Sequence, residues 1–300
     1  MKKINILLIL FATLLTSCLD PIEIDPQDGP KLIGINGHIT NEYKKHQIVI
    51  SKTTDFYSDA DAEMVSDAEV FIYDGFDTIR FKETENQGYY ETIDSIAGVI
   101  GRTYNLHVKT IGEDGEQCFY AQSTMRDNIE KIDSLKIKEV VLGEIDIPGT
   151  LGLYPYFLSL ADPRASYLIN VAVNDTLQNE SLIRCQSFSL AGLSGAYLNS
   201  PEMVALVGEQ PIYYFFGKMS INTETGSIEF KESLNKGDKI TMFMYSITPD
   251  FSKYISDINS NFGSNPMMGM PYNVSTNIYP EGKAVGFFEA TSVITSEVIY

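Results

Sequence analysis

Apolar side chains stand at alternate positions near the start of the 31–125 stretch, with Ile33, Ile35 and Ile39 on one face of an extended chain. A period of two is the signature of a strand buried on one side. The same alternation returns at Gln47–Thr53, Glu69–Tyr73, Thr78–Lys82, Tyr89–Ile93, Thr103–Thr110 and Gln117–Thr124. Asp74-Gly75, Gln87-Gly88 and Asp114-Gly115 punctuate these strands, and glycine there permits the positive φ of tight hairpin turns. Seven strands in under 100 residues predict a β-sandwich over 31–125.

Residues 126–300 are also strand-rich but less evenly spaced. Strands are expected around Ser134–Val140, Pro155–Leu160, Ser166–Val173, Ile183–Leu190, Ile212–Met219, Ser227–Phe230, Lys239–Ile247 and Lys283–Thr295. One helix interrupts them near 249–262. Pro249 suits a first helical position with Thr248 as its cap, and Phe251, Tyr254, Ile255, Ile258 and Phe262 then share one face. Beyond Gly263, Asn265-Pro266-Met267-Met268-Gly269-Met270-Pro271 cannot form regular helix or a central strand, because its prolines remove donors. The chain thus divides into a β-sandwich domain at 31–125 and a β-rich C-terminal domain with one amphipathic helix at 126–300.

Ahead of the strands, Lys2 and Lys3 precede an apolar run from Ile4 to Leu15 broken only by Asn5 and Thr13. That layout predicts a secretory signal over residues 1–17, too short for the roughly 20 apolar residues that cross a bilayer. Leu15-Thr16-Ser17-Cys18 resembles the lipobox of bacterial lipoproteins. The resemblance implies cleavage before Cys18, a diacylglycerol thioether on its thiol, and acylation of the new amino terminus, with palmitate as a suitable label. At about 0.8 kcal/mol per buried methylene, several acyl chains anchor a soluble body stably. Leu19 stands where an aspartate would mark inner-membrane retention, so sorting to the outer membrane is expected. Residues 18–30 read as an extended tether with Pro21, Pro26 and Pro30, and its acids Asp20, Glu23, Asp25 and Asp28 resemble the surface-export signal of Bacteroidota lipoproteins.

The formal charge of −18 excludes phosphate-tracking partners such as nucleic acid. Cys118 and Cys185 lie far apart in sequence, and two buried free thiols are favoured over a disulfide. His38, His46 and His107 sit on or beside strands without metal-ligand spacing. Asp59, Asp61 and Glu63 alternate in a loop that reads as solvated acid before it reads as a calcium loop. Ser194, in Gly192-Leu193-Ser194-Gly195, lacks the spacing of a nucleophile elbow. No catalytic residue, metal site or cofactor is therefore assigned, although scattered carboxylates leave a surface hydrolase as the rival reading and an adhesin as a third. Met267, Met268, Met270 and Tyr272 either cap their own core or form an adaptable contact patch.

With both halves read, the chain resembles the Bacteroidota lipoprotein family catalogued as domain of unknown function 4249. The resemblance is carried by Gly37-His38-Ile39, Ala68-x-Val70-x-Ile72-x-Asp74, Gly88-Tyr89, Gly98, Gly101-x-x-Tyr104-x-Leu106, Asn265-Pro266, Pro271-x-Asn273-Val274, Asn277-Ile278 and Gly286-Phe287-Phe288. The first-domain part of this order also looks like immunoglobulin-like or transthyretin-like modules. The resemblance carries over no established catalytic residues. It implies a companion of a TonB-dependent outer-membrane transporter, working in nutrient uptake at the cell exterior.

Overall fold

A computed structural model of the chain describes residues 31–54, 61–112, 115–127, 132, 134–142, 145–156, 166–177, 186–189, 212–221, 228–232, 234–263 and 274–300. The fold is mainly β. The first half supplies β1 (Ile33–Thr40), β2 (Gln47–Lys52), β3 (Glu69–Tyr73), β4 (Thr78–Glu83), β5 (Tyr89–Thr92), β6 (Thr103–Gly112) and β7 (Gly115–Thr124). The second supplies β8 (Ser134–Leu142), β9 (Ile145–Tyr156), β10 (Ser166–Val173), β11 (Thr176–Leu177), β12 (Gln186–Ser189), β13 (Ile212–Ile221), β14 (Ile228–Glu232), β15 (Lys239–Ile247), helix α1 (Pro249–Gly263) and β16 (Ala284–Ile299).

The anticipated turn glycines do adopt positive φ, 93° at Gly75, 76° at Gly88 and 89° at Gly115. Alternation along β1 buries Ile33, Ile35 and Ile39 as expected. They join Ile48, Ile50, Ile72, Leu106, Phe119 and Phe288 in one core, where full burial of each such side chain stabilises by about 1.5–3 kcal/mol.

Strands from both halves share the larger sheet, whose order is β11-β10-β15-β16-β1-β2-β5-β4-β3-β6-β7, with β12 also on β10. Strand β16 makes this continuity. Its first part runs parallel to β1, from Ile33 opposite Ala284 to Thr40 opposite Thr291. Its second part runs antiparallel to β15, from Ser246 opposite Ser292 to Lys239 opposite Ile299.

The sheet also turns back so that β7 approaches β16. Asn277 sews that approach together, donating to Phe288 O (2.8 Å) and accepting from Phe288 N (3.0 Å) while its amide reaches Gln122 O (3.4 Å). Tyr120 and Tyr279 exchange backbone hydrogen bonds of 2.9 and 2.7 Å alongside. The smaller sheet, β14-β13-β9-β8, buries Leu135, Leu151 and Leu153 against Tyr167, Val171, Ile240, Met242 and Met244 of the larger one.

Two expectations change. Strand β9 occupies Ile145–Tyr156, so it begins ten residues ahead of the expected Pro155 and takes in Pro155 and Tyr156, while 157–160 lie outside the described residues. Pro148, Gly149, Gly152 and Pro155 read locally as breaks, but pairing with β8 and β13 overrides that preference. Cys118 is exposed and free, not buried, because the β7 alternation turns Phe119 and Ala121 inward and Cys118 out. Cys185 lies outside the described residues.

Candidate functional site

Where the described chain begins, Leu32 borders an open groove of about 970 Å³. Its floor is the outer face of β1 and β2, with Gly34, Asn36 and Ser51. Helix α1 supplies one wall through Tyr254 and Ile258, and the strap 274–286 supplies the other. The helix is placed by its ends. Thr248 caps it, accepting from Phe251 N at 3.2 Å, and Phe251, Tyr254 and Ile255 pack on Phe287 and Val293 of β16.

Tyr254 is held upright in that wall. Its hydroxyl donates to Asn36 Oδ1 at 3.1 Å, and its ring lies 5.8 Å from Phe251 and 5.1 Å from Phe287. Burial pushes the phenol up to about 12, so it stays a neutral donor.

One turn further on, Asp257 pins the strap to the helix. It accepts from Lys253 Nζ (2.6 Å), from Ser275 N (3.1 Å) and from the Ser275 hydroxyl. Lys253 first, then Ser275, hold its carboxyl down at about 2. A depressed carboxylate adds stability above its ordinary value and loses it as pH falls through the folded one. Asp257→Asn should therefore lower the thermal midpoint at neutral pH, and the gap from wild type should narrow as pH falls from about 4 toward 2. Melting curves across that range check it; a gap that does not change with pH would show that charge has no part in the pinning.

Glu289 lies behind the helix start and is 1% exposed. It accepts from Thr248 N (2.6 Å), Thr248 Oγ1 (3.0 Å) and Ser123 Oγ (3.0 Å). One carboxyl thus joins β16, β7 and the cap of α1. Burial pushes it up to about 7, above its normal range, against the lowering effect of its donors. The sequence reading missed it, though a lone acid inside the apolar run Ala284–Val293 was the available signal.

A family model described as Domain of unknown function (DUF4249) matches residues 19–297. The chain belongs to this family. No curated protein matches the chain, and the DUF4249 description names no catalytic activity. The match takes in the groove, α1 and β16 through Glu297.

The other candidate residues of this DUF4249 chain do not converge. His46 sits between Thr40 N, which donates to Nδ1 at 3.4 Å, and Ile96 O, 3.0 Å from Nε2. His38 Nε2 lies 2.5 Å from Thr291 Oγ1, and burial holds its ring down at about 3, hence neutral. His107 stacks on Phe71 at 4.7 Å. Among the described residues no three His, Cys, Asp or Glu side chains are grouped to hold a metal. Glu63 is paired with Lys52 at 2.5 Å. Cys18, Asp59, Ser194, Met267, Met268, Met270 and Tyr272 lie outside the described residues. In sequence, the methionine segment lies between Gly263, where α1 ends, and Val274, a groove-lining residue.

Proposed function

We propose that this chain is a non-enzymatic lipoprotein, anchored through Cys18 in the outer membrane of a Bacteroidota cell and facing outward, where it serves a TonB-dependent transporter in nutrient uptake. The observation that carries the reading is where the family match begins. It starts at Leu19, so it leaves out Cys18 and all of the charged start and apolar run. A module that begins directly after a lipobox-like cysteine is what cleavage before Cys18 produces.

Twelve residues lie between Cys18 and Lys31, an extended reach of about 45 Å over the thirteen steps from one to the other. Leu32, at the groove end of the body, is thus among the described residues nearest the proposed anchor along the chain. Confinement to a surface raises the effective concentration toward membrane partners. Met267, Met268, Met270 and Tyr272 supply an adaptable contact segment joined to the groove at Val274.

The test is affinity purification of tagged protein from detergent-solubilised outer membranes, with palmitate labelling of wild type and Cys18→Ala. Wild type is expected to carry label and to bring a TonB-dependent transporter with it. Equal label on Cys18→Ala would remove the anchor, and recovery of labelled wild type without a transporter would remove the partnership.

A further inference from the structure

The groove differs in chemistry from the rest of this acidic chain. Of its described lining residues only Lys52 and Glu281 are charged, and Lys52 is taken by Glu63, in a protein with 40 acidic residues and a net charge of −18. No described lining cation is left to meet an anion.

What the groove does offer is neutral polarity beside apolar surface. Asn36 spends its Oδ1 on Tyr254, which leaves its NH2 as a donor, and Asn36 lines the groove together with the hydroxyl residues Ser51, Thr54 and Tyr279. Ile258, Val274 and Tyr254 contribute apolar surface to the same lining. Gly34 keeps the floor low, since a Cβ there would lie 3.0 Å from Ser51 Oγ.

We propose that this groove is a binding site for a neutral, hydroxyl-rich ligand of the oligosaccharide class. Sugar hydroxyls pair with amide and hydroxyl side chains, and the C–H faces of the rings pack on tyrosine and aliphatic walls. The cavity volume falls within the range of small-molecule sites, roughly 300–1,000 Å³. A peptide adding as a strand finds no free edge on the floor, because β1 is paired on one side with β2 and on the other with β16. An acyl chain would strip water from Asn36 and the hydroxyls without replacing it. The site does not depend on the transporter partnership, and its test contains no transporter.

Full-length mature protein in detergent is titrated with maltohexaose, cellohexaose and mannohexaose, with hexagalacturonate and an uncharged hexapeptide as competitors in class, by calorimetry. At least one neutral hexasaccharide is expected to bind with Kd below about 1 mM. Asn36→Leu and Ser51→Val should each weaken it at least about tenfold. Ser51→Val fills the floor without touching the Tyr254 hydrogen bond, so its thermal midpoint should match wild type. Absence of neutral binding at about 5 mM, tighter binding of hexagalacturonate or the peptide, or undiminished binding by both variants would each overturn the proposal.

Discussion

Gly286→Ala is expected to destabilise the protein by at least about 4 kcal/mol, enough to leave the chain unfolded or aggregated at 25 °C. Gly286 has φ +98°, and a Cβ built on it would stand 2.1 Å from Ile35 O and 2.8 Å from Ile35 C. Those atoms belong to backbone, not to a side chain that can swing aside. Ile35 is also the residue opposite Gly286 in the parallel β1–β16 pairing, so relief would require the two strands to separate within their paired stretch. The core residue Phe288 and the Asn277 seam lie two and nine positions away and would move with it. Gly282→Ala is the control. It also has positive φ, +72°, but nothing lies within 4 Å of the added carbon, so it should cost only the conformational penalty of about 1–2 kcal/mol. Urea unfolding of both variants checks the difference; similar losses would mean that collision with Ile35 is not the cause.

Glu289 should make stability fall as the solution is raised from mildly acid to mildly alkaline pH. Its folded value, about 7, stands above the ordinary 4.5. Below the ordinary value the carboxyl is protonated in both states and burial exacts no ionic penalty. Between the two values the unfolded chain ionises first, which favours unfolding. Above about 7 the full difference applies, on the order of 3 kcal/mol. The groups that face the carboxyl are Ser123 from β7 and Thr248 and Asp250 from the start of α1, while its backbone register neighbour on β1, His38, is neutral. Glu289→Gln, which cannot ionise, should flatten the stability curve between about pH 5 and 8 and match or exceed wild type at the upper end. Glu289→Ala should instead lose about 2–4 kcal/mol at pH 5, because the Thr248 amide and two hydroxyls are left without their acceptor. Chemical denaturation at a series of pH values separates these outcomes; parallel curves for wild type and Glu289→Gln would place the titration elsewhere.

Local features of this chain were legible in proportion to how local they are. Glu69–Tyr73, Ser166–Val173 and Lys239–Ile247 fall on the anticipated residues, since alternation bounded by turn residues is decided within a few positions. The cap at Thr248 and the buried stripe of α1 were readable for the same reason. Strand β9 was not, because its prolines and glycines argue for breaks that only its neighbours overrule. Nor could alternation reveal that β16 would pair with β1, as His38 and Thr291 meet across 253 positions. The groove was hidden likewise: Gly34, Ser51, Tyr254 and Thr276 line it from four separate segments, and none carries a motif. Glu289 was visible as an oddity of composition, but its role as a joint depended on Ser123 and Thr248 arriving from elsewhere.

The placement of β1 also has a mechanical meaning. A pull transmitted through the residues ahead of Lys31 enters β1 at its beginning, and its component along the strand axis is what the flanking ladders must bear. Eight residue pairs hold β1 to β16 and six hold it to β2. Load along that axis is borne in shear, by both ladders together, because β1 is flanked on both sides and is not an edge strand. The body should resist extension from its N-terminal side far better than from a strand that can unzip.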